Sequence, residues 1–497
     1  GRGVHLNAPE RGGSMLTMVR TTGAVHEAIT QDIDRYAPKE TMLFSRARQV
    51  RLGDREIYLM AEVIALDENE ACRSSALTQP SPVFQQWFYG SLKKDGVLGQ
   101  GYRVVTIHSH PFQTGEASFS AVDLQTMARD RKVYGKAYDG HDFVWLVFDR
   151  DARSFEGSVV RRRGETKIDA LVVLGDQFAR LAGTGGARGG TDYPREIYSR
   201  MLLIPTWDQE RIAWPKVAVV GLGGLGSVVL QAVTELGIGD LGDLVLVDHD
   251  VVEASNLSRI PYASFHDIGI PKTDVARRYV QGVRPYRKVT TIDKPCDAAE
   301  AQQEIASADL ILGCVDSEVA RSCLNHLAAS FLVPLLDLGA GVIIDRLAGE
   351  RLVLPSGQAR LFIPGTTPCL LCNMGIRQEG FDRELACLKT NAEEKDLLGR
   401  AGYLQDFLAE DAPQPSVYNL NALVGIAGVT LLLRYLLGGG VDYQALHFNM
   451  ETMAFEKILS KSREHCPVCG FDGLLGTGDF FDLEGLVAEK QYPLPRP

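Results

Sequence analysis

The chain has 497 residues, enough for two to four domains at roughly 100–200 residues each. Hydrophobic residues make up 45% and charged residues 23%, so real cores can be buried and wholesale disorder is excluded. With 63 acidic against 52 basic residues the net charge is −11, the wrong sign for a generic nucleic-acid binder, and nine cysteines are too sparse for a disulfide scaffold.

In chain order, a tail over 1–15 precedes a helical pattern around Ala24–Tyr36. Apolar strand-like runs follow at Glu56–Leu66, Tyr102–Ile107 and Asp142–Phe148. This reads as a small α/β domain over 16–165. A glycine-rich seam, Gly183–Gly190, has little reason to sit in a packed element, so a linker is expected over 166–195. Next come strand Val217–Val220, a glycine turn, a helix to about Leu236 and strand Asp243–Val247. The alternation continues through Leu310–Val315 and Val333–Leu336, as in a parallel sheet with crossover helices. A charged stretch, Arg377–Pro415, interrupts this second domain, which is expected over 196–475 with an insert at 376–415. The apolar run Leu420–Leu433 is short for a membrane span of about 20 residues and predicts a buried helix. A tail is expected over 476–497. The whole reads as a soluble, cytoplasmic α/β protein with no nucleic-acid or membrane partner.

Two motifs carry chemistry in the first domain. Strand Tyr102–Ile107 runs into His108-Ser109-His110-Pro111. Histidines at i and i+2 on a strand share a face, so both imidazoles can reach one ion. Asp123 follows downstream, with Ser120 three positions before it. Two histidines, one carboxylate and an open position make a hydrolytic zinc site. The order H-x-H-P, then S-x-x-D, resembles the JAB/MPN family of zinc isopeptidases, the JAMM proteases, over Leu16–Arg163. The resemblance implies that Glu40, after the first helix, is the base that takes the proton of water, with Glu56 and Glu62 as alternatives. It implies that Ser120 donates to the tetrahedral oxyanion. Ser120 lies farther from His110 than the family spacing, by about two residues, so the loop shape is expected to differ.

In the second domain, Gly221-Leu-Gly223-Gly224-Leu-Gly226-Ser227 follows a strand and opens a helix, and Asp248 closes the next strand. Glycines let backbone approach a phosphate at a helix N-terminus, and an acid there can hold ribose hydroxyls. Alone, this fits a dinucleotide dehydrogenase as well as an ATP enzyme. Ser255-Asn256-Leu257-Ser258-Arg259, then Pro271-Lys272, then Cys314-Val315-Asp316-Ser317 supply cations for phosphates and an acid for Mg²⁺. The set resembles the ThiF/MoeB/ubiquitin-activating superfamily over Glu196–Gly470, and implies a Rossmann-like adenylation domain with a crossover-loop insert. By that resemblance Gly221, Gly223, Gly224, Gly226 and Asp248 contact nucleotide, Asn256, Arg259 and Lys272 contact phosphates, and Asp316 holds Mg²⁺. Tyr198-Ser199-Arg200 matches the family's early arginine motif, in which the guanidinium reaches the partner subunit's ATP. A homodimer is implied.

Cys369-Leu-Leu-Cys372 and Cys466-Pro-Val-Cys469 are paired C-x-x-C motifs with 93 intervening residues. Four thiolates make a closed tetrahedral zinc site, here a staple between distant segments. Cys387 sits in the insert that resembles the family's crossover loop, and with Lys389 nearby it is a candidate to take the acyl group as a thioester. If it does not serve, a hydroxyl such as Ser416 is the alternative, or the adenylate is handed on directly. Cys72, Cys296, Cys314 and Cys323 read as packing residues.

Together these expectations describe a JAMM-type metallopeptidase fused to a ubiquitin-activating-type adenylyltransferase that uses ATP, Mg²⁺ and catalytic and structural Zn²⁺. The implied partners are a ubiquitin-like β-grasp protein and a ubiquitin-conjugating-type enzyme. Such fusions resemble prokaryotic ubiquitination-like pathways, some of which serve in antiviral defence. The alternative is sulfur-carrier activation for cofactor, cysteine or tRNA-thiolation chemistry. A binding scaffold with a dead protease half is opposed by the intact His108, His110, Asp123 and Glu40.

Overall fold

The runs that read as strands form two separate sheets in the computed structural model, which describes residues 15–74, 78–137, 141–183, 194–345, 351–389 and 416–488. The chain divides into two units, Arg11–Thr191 with Leu475–Gly478, and Asp192–Leu474 with Gly1–Glu10 and Asp479–Pro497.

In the N-terminal unit the sheet centres on strand Tyr102–His110. It pairs antiparallel with Met42–Leu52 and parallel with Phe143–Asp149. Its β-branched run Val104–Ile107 is buried on both faces, which favours a central strand. One face packs Val25, Ile29 and Ile33 of helix Gly23–Tyr36, spaced at i and i+4, against Val105, Ile107 and Leu146. Thr22 caps that helix, its hydroxyl oxygen accepting from Val25 N at 3.3 Å. The other face packs Phe84 and Phe88 of helix Pro82–Lys94 with Phe44 and Trp145.

The expected linker over 166–195 is corrected. Ala170–Leu174, buried at every position, pairs parallel with Leu16–Thr22, and Phe178–Ala182 pairs antiparallel with Ala170–Leu174. The apolar run Ala-Leu-Val-Val-Leu needed this sheet to hide it, so the first domain extends past 165. Most of the glycine seam, 184–193, lies outside the described residues.

In the C-terminal unit five parallel strands run in the order Val289–Ile292, Leu244–Val247, Val217–Val220, Leu310–Gly313, Leu335–Asp345. Arg351–Phe362, Ala445–Asn449 and Ala454–Ile458 extend the sheet antiparallel. The three central strands read as continuous apolar runs, as expected when helices cover both faces. Strand order reverses between Val217–Val220 and Leu310–Gly313, and at such a point a crevice opens beyond the carboxyl ends. The apolar stretch at Leu420–Leu433 is part of helix Tyr418–Leu436, long and apolar enough to cross a membrane by length and composition. It packs on helix Gly224–Leu236 and on the sheet, burying Leu420, Val424, Leu431 and Leu432.

The expected tail over 476–497 is also corrected. The Asp479 carbonyl accepts from Ser330 Oγ at 2.7 Å. Phe481 N donates to Gln302 Oε1 at 2.8 Å, and Gln302 Nε2 donates back to the Phe481 carbonyl at 2.9 Å. Helix Leu483–Ala488 follows. These backbone groups find side-chain partners on two helices, which the sequence of the segment does not announce.

Candidate functional sites

The register of the N-terminal sheet builds its site. Met42 lies opposite His108 on an antiparallel pair, so stepping two residues outward brings Glu40 beside His110. His110 Nε2 is 3.9 Å from Glu40 Oε1. Asp123, in the first turn of helix Ala121–Ala137, places one oxygen 3.2 Å from His108 Nε2 and the other 3.2 Å from His110 Nε2. The ligand atoms of His108, His110 and Asp123 lie within 4.8 Å of one another. His108 Nδ1 and Nε2 and His110 Nδ1 are buried without a well-aligned hydrogen-bond partner. Two imidazole Nε2 atoms converging on a carboxylate fit a zinc ion.

Burial pushes the Glu40 carboxyl up to about 7, with Asp123 adding to the rise and His110 opposing it. Burial holds His108 below its ordinary value. For His110 burial acts the same way, but the hydrogen bond to Asp123, the charges of Asp123 and Glu40 and a bond with Gln113 together outweigh it and raise the group. Bonds from both histidines hold Asp123 well below the usual carboxylate range, against its burial. The alternatives to Glu40 are engaged elsewhere. Glu56 is fully buried against Arg161 and Arg51, and Glu62 pairs with Arg46 at 2.7 Å.

Ser120 and Asp123 have a local task as well. Asp123 N donates to Ser120 Oγ at 3.2 Å, and Ser120 N donates to Asp123 Oδ2 at 2.7 Å, a reciprocal helix cap. The Ser120 hydroxyl also donates to Asp123 Oδ2, at 2.7 Å. The S-x-x-D pattern thus starts the helix that delivers its own carboxylate to the histidines.

The second site lies at the topological switch point of the other sheet. Gly221 has φ +87° and passes so close to Cys314 that a Cβ would meet its carbonyl oxygen at 2.6 Å. A Cβ on Gly226 would stand 1.9 Å from the Gly221 oxygen. Gly223 caps helix Gly224–Leu236 with no side chain, leaving the N-terminal N–H groups facing the crevice. Asp248 braces the turn by accepting from Leu222 N at 2.6 Å. Lys272 Nζ stands 2.6 Å from Asp250 and 3.9 Å from Asp248, so the Asp248-His249-Asp250 group holds an ammonium. Asn256 is buried in its own turn, its Oδ1 accepting from Glu253 N at 3.1 Å, and Arg259 donates to the Ser255 carbonyl at 3.2 Å. Asp316 is exposed just past strand Leu310–Gly313. Tyr198 is buried and bonded to Asp240, whereas Arg200 is exposed.

Sequence reasoning missed three groups here. Asp337, the third residue of the neighbouring strand Leu335–Asp345, is buried with Arg321 and Arg360 each at 3.3 Å. Glu384, on helix Gln378–Lys389 of the insert, accepts from Ser317 Oγ at 2.7 Å and from Glu318 N and Val319 N at 2.8 Å each. It caps the helix that follows Asp316. Asn421, 3% exposed, points at the glycine turn. Only Asn421 left a signal, as a polar residue inside an apolar run.

Cys369 Sγ is 3.6 Å from Cys466 Sγ and Cys372 Sγ is 3.7 Å from Cys469 Sγ, with all four sulfurs within 4.8 Å. Four converging thiols fit a closed zinc site. The Cys387 backbone lies in helix Gln378–Lys389, but its side chain and residues 390–415 lie outside those described. The packing assignment holds for buried Cys296 and Cys323. It is corrected for Cys72, which is exposed on a two-stranded ribbon, and Cys314 is partly exposed.

The ThiF family pattern matches residues 198–468, more than half of the chain. The SAMP-activating enzyme E1 of Haloferax volcanii is 27% identical over 56% of this chain and 89% of its own length. The molybdopterin-synthase adenylyltransferase of Escherichia coli is 34% identical over 30% of this chain and 59% of its own length. Among solved structures, E. coli MccB with succinimide superposes with a TM-score of 0.42 at 18% identity, covering 57% of this chain and 75% of that one. The C-terminal unit is thus an E1-like adenylyltransferase domain. The chain belongs to the ThiF family.

Proposed function

We propose that the chain both activates and processes a ubiquitin-like β-grasp protein. The observation that supports the pairing is that the N-terminal unit brings His108, His110, Asp123 and Glu40 together, while the C-terminal unit sets Arg259 against the glycine turn and Lys272 beside Asp248. The relatives' names favour such a partner for the C-terminal unit.

In the adenylation unit, the C-terminal carboxylate of the partner attacks the α-phosphorus of ATP. A P–O bond forms, the bond to pyrophosphate breaks, and an acyl-adenylate results. The N–H groups after Gly223 receive the phosphates. Arg259, Lys272 and Asn256 neutralise and orient them, and Asp316 is the residue that would hold Mg²⁺, which would supply further charge neutralisation there. Arg200 reaches the partner subunit's nucleotide in a homodimer. Cys387 is the proposed thiol whose sulfur attacks the acyl carbon, forming a thioester as the acyl–oxygen bond breaks and AMP leaves, before a ubiquitin-conjugating-type enzyme receives the acyl group.

The N-terminal unit is proposed as a JAMM-type peptidase that trims the precursor or removes conjugates. Zinc held by His108, His110 and Asp123 would supply Lewis acidity there. Glu40 would take a proton from the attacking water and pass it to the leaving amine. Ser120 donates to the oxyanion once its hydroxyl turns from Asp123.

A second reading, activation of a sulfur carrier, is supported by the molybdopterin-synthase relative. One experiment tests both. Pyrophosphate exchange into ATP is measured with candidate β-grasp proteins, and the product is analysed by mass spectrometry. Exchange dependent on the β-grasp protein is expected, with a protein conjugate as product. A thiocarboxylate would favour the sulfur carrier, and no exchange with any carrier would overturn the activation reading.

A further inference from the structure

Helix Tyr418–Leu436 begins beside the glycine turn and brings Asn421 to it, with Ser416 just before the helix start. A Cβ built on Gly224 would lie 2.5 Å from Asn421 Nδ2 and 2.9 Å from Arg259 Cδ. The Asn421 amide and the Arg259 stem therefore close over the first turn of helix Gly224–Leu236, where glycine alone leaves room. Asn421 Nδ2 also donates to Ser416 Oγ at 3.0 Å. Asn421 is 3% exposed, whereas Ser416 faces solvent. A buried amide held against a proposed phosphate-binding turn, with a hydroxyl on its outer side, is more than packing requires.

The geometry points to Asn421 and Ser416 as the residues that recognise the acyl end of the adenylate, with the Ser416 hydroxyl donating to its carbonyl oxygen. The inference rests on the nucleotide reading of the glycine turn. In an acyl-adenylate the carbonyl is one bridging oxygen away from the α-phosphate. A donor for it must lie just outside the phosphate-binding N–H groups, which is where the pair stands. The Asn421 bond also decides the role of Ser416. An amide N–H donated to a hydroxyl oxygen draws electron density from it and leaves its O–H the better donor, the reverse of what a nucleophile needs. Ser416 therefore binds the acyl group and does not accept it.

The test uses the full chain and two probes, AMP and glycylglycyl-sulfamoyl adenosine, a stable mimic of a glycylglycyl adenylate. Calorimetry gives each affinity, and the ratio isolates the acyl end. Wild type is expected to prefer the mimic. Ser416→Ala, at an exposed position that does not threaten the fold, and Asn421→Ser are each expected to cut that preference about fivefold or more, in line with a lost hydrogen bond of about 1 kcal/mol. An unchanged preference in Ser416→Ala would overturn the inference alone. Equal weakening of both probes in Asn421→Ser would make Asn421 a packing residue and overturn its part. Failure of wild type to bind either probe would overturn the nucleotide reading and this inference with it. An ester adduct on Ser416 after incubation with a β-grasp protein and ATP would overturn the donor assignment.

Discussion

Glu40 is placed by register: its strand partner carries the histidines, and burial lifts its carboxyl to about 7, the range a general base needs. Glu40→Gln should keep zinc by elemental analysis and lose cleavage by about 10²-fold or more, since it removes a proton acceptor and not a ligand. The base form is lost as the pH falls through its pKa. The acid limb of the pH–rate profile should therefore vanish in Glu40→Gln, and a persistent limb would reassign the base. Asp123→Ala should lose the ion itself. The site was largely legible in sequence because H-x-H and S-x-x-D are local patterns. The resemblance already favoured Glu40 over Glu56 and Glu62, and the structure adds the strand register and the engagement of the other two by Arg161, Arg51 and Arg46.

At the scale of elements, the glycine turn tolerates no side chain at Gly226, where a Cβ would overlap the Gly221 oxygen at 1.9 Å. Gly226→Ala should abolish pyrophosphate exchange while cleavage by the N-terminal unit persists. Glu384 links an element of the insert to the helix after Asp316 through three accepted hydrogen bonds. Glu384→Ala should lower the unfolding free energy of the C-terminal unit by about 1–2 kcal/mol, the cost of a lost cap, read from chemical denaturation. No change would mean that Ser317 alone caps this helix. Four of the five parallel strands were legible as short apolar runs, whereas Val289–Ile292, with Thr290 and Thr291 at its centre, was not. The strands at Ala170–Leu174 and Phe178–Ala182 were hidden by the nearby glycines, and the anchoring of Asp479–Phe481 depends on partners distant in sequence.

At the scale of the whole molecule, two ligand sets predict roughly two zinc ions per chain, given their coordination rules. Asp123→Ala should remove one and leave adenylation, while Asp316→Ala should abolish pyrophosphate exchange and leave cleavage. Variants that lost both activities together would deny the division of labour. If Arg200 works across a homodimer, mixing Arg200→Ala with Asp316→Ala chains should restore part of the exchange activity. Absence of restoration in mixed dimers shown to form would place Arg200 in its own subunit's chemistry or outside it.

The four converging sulfurs have a topological consequence. They join Cys369 and Cys372 to Cys466 and Cys469 and so close a loop that contains the insert, helix Tyr418–Leu436 and the last two strands of the sheet. Closing so long a segment removes loop entropy from the unfolded chain. A protease that cuts once inside the loop produces two fragments on a denaturing gel but one particle in solution, because the cluster spans the cut. The particle should come apart, or open enough for further digestion, only when a chelator is added. In this part of the chain, a broken peptide bond and a lost subunit structure are separate events.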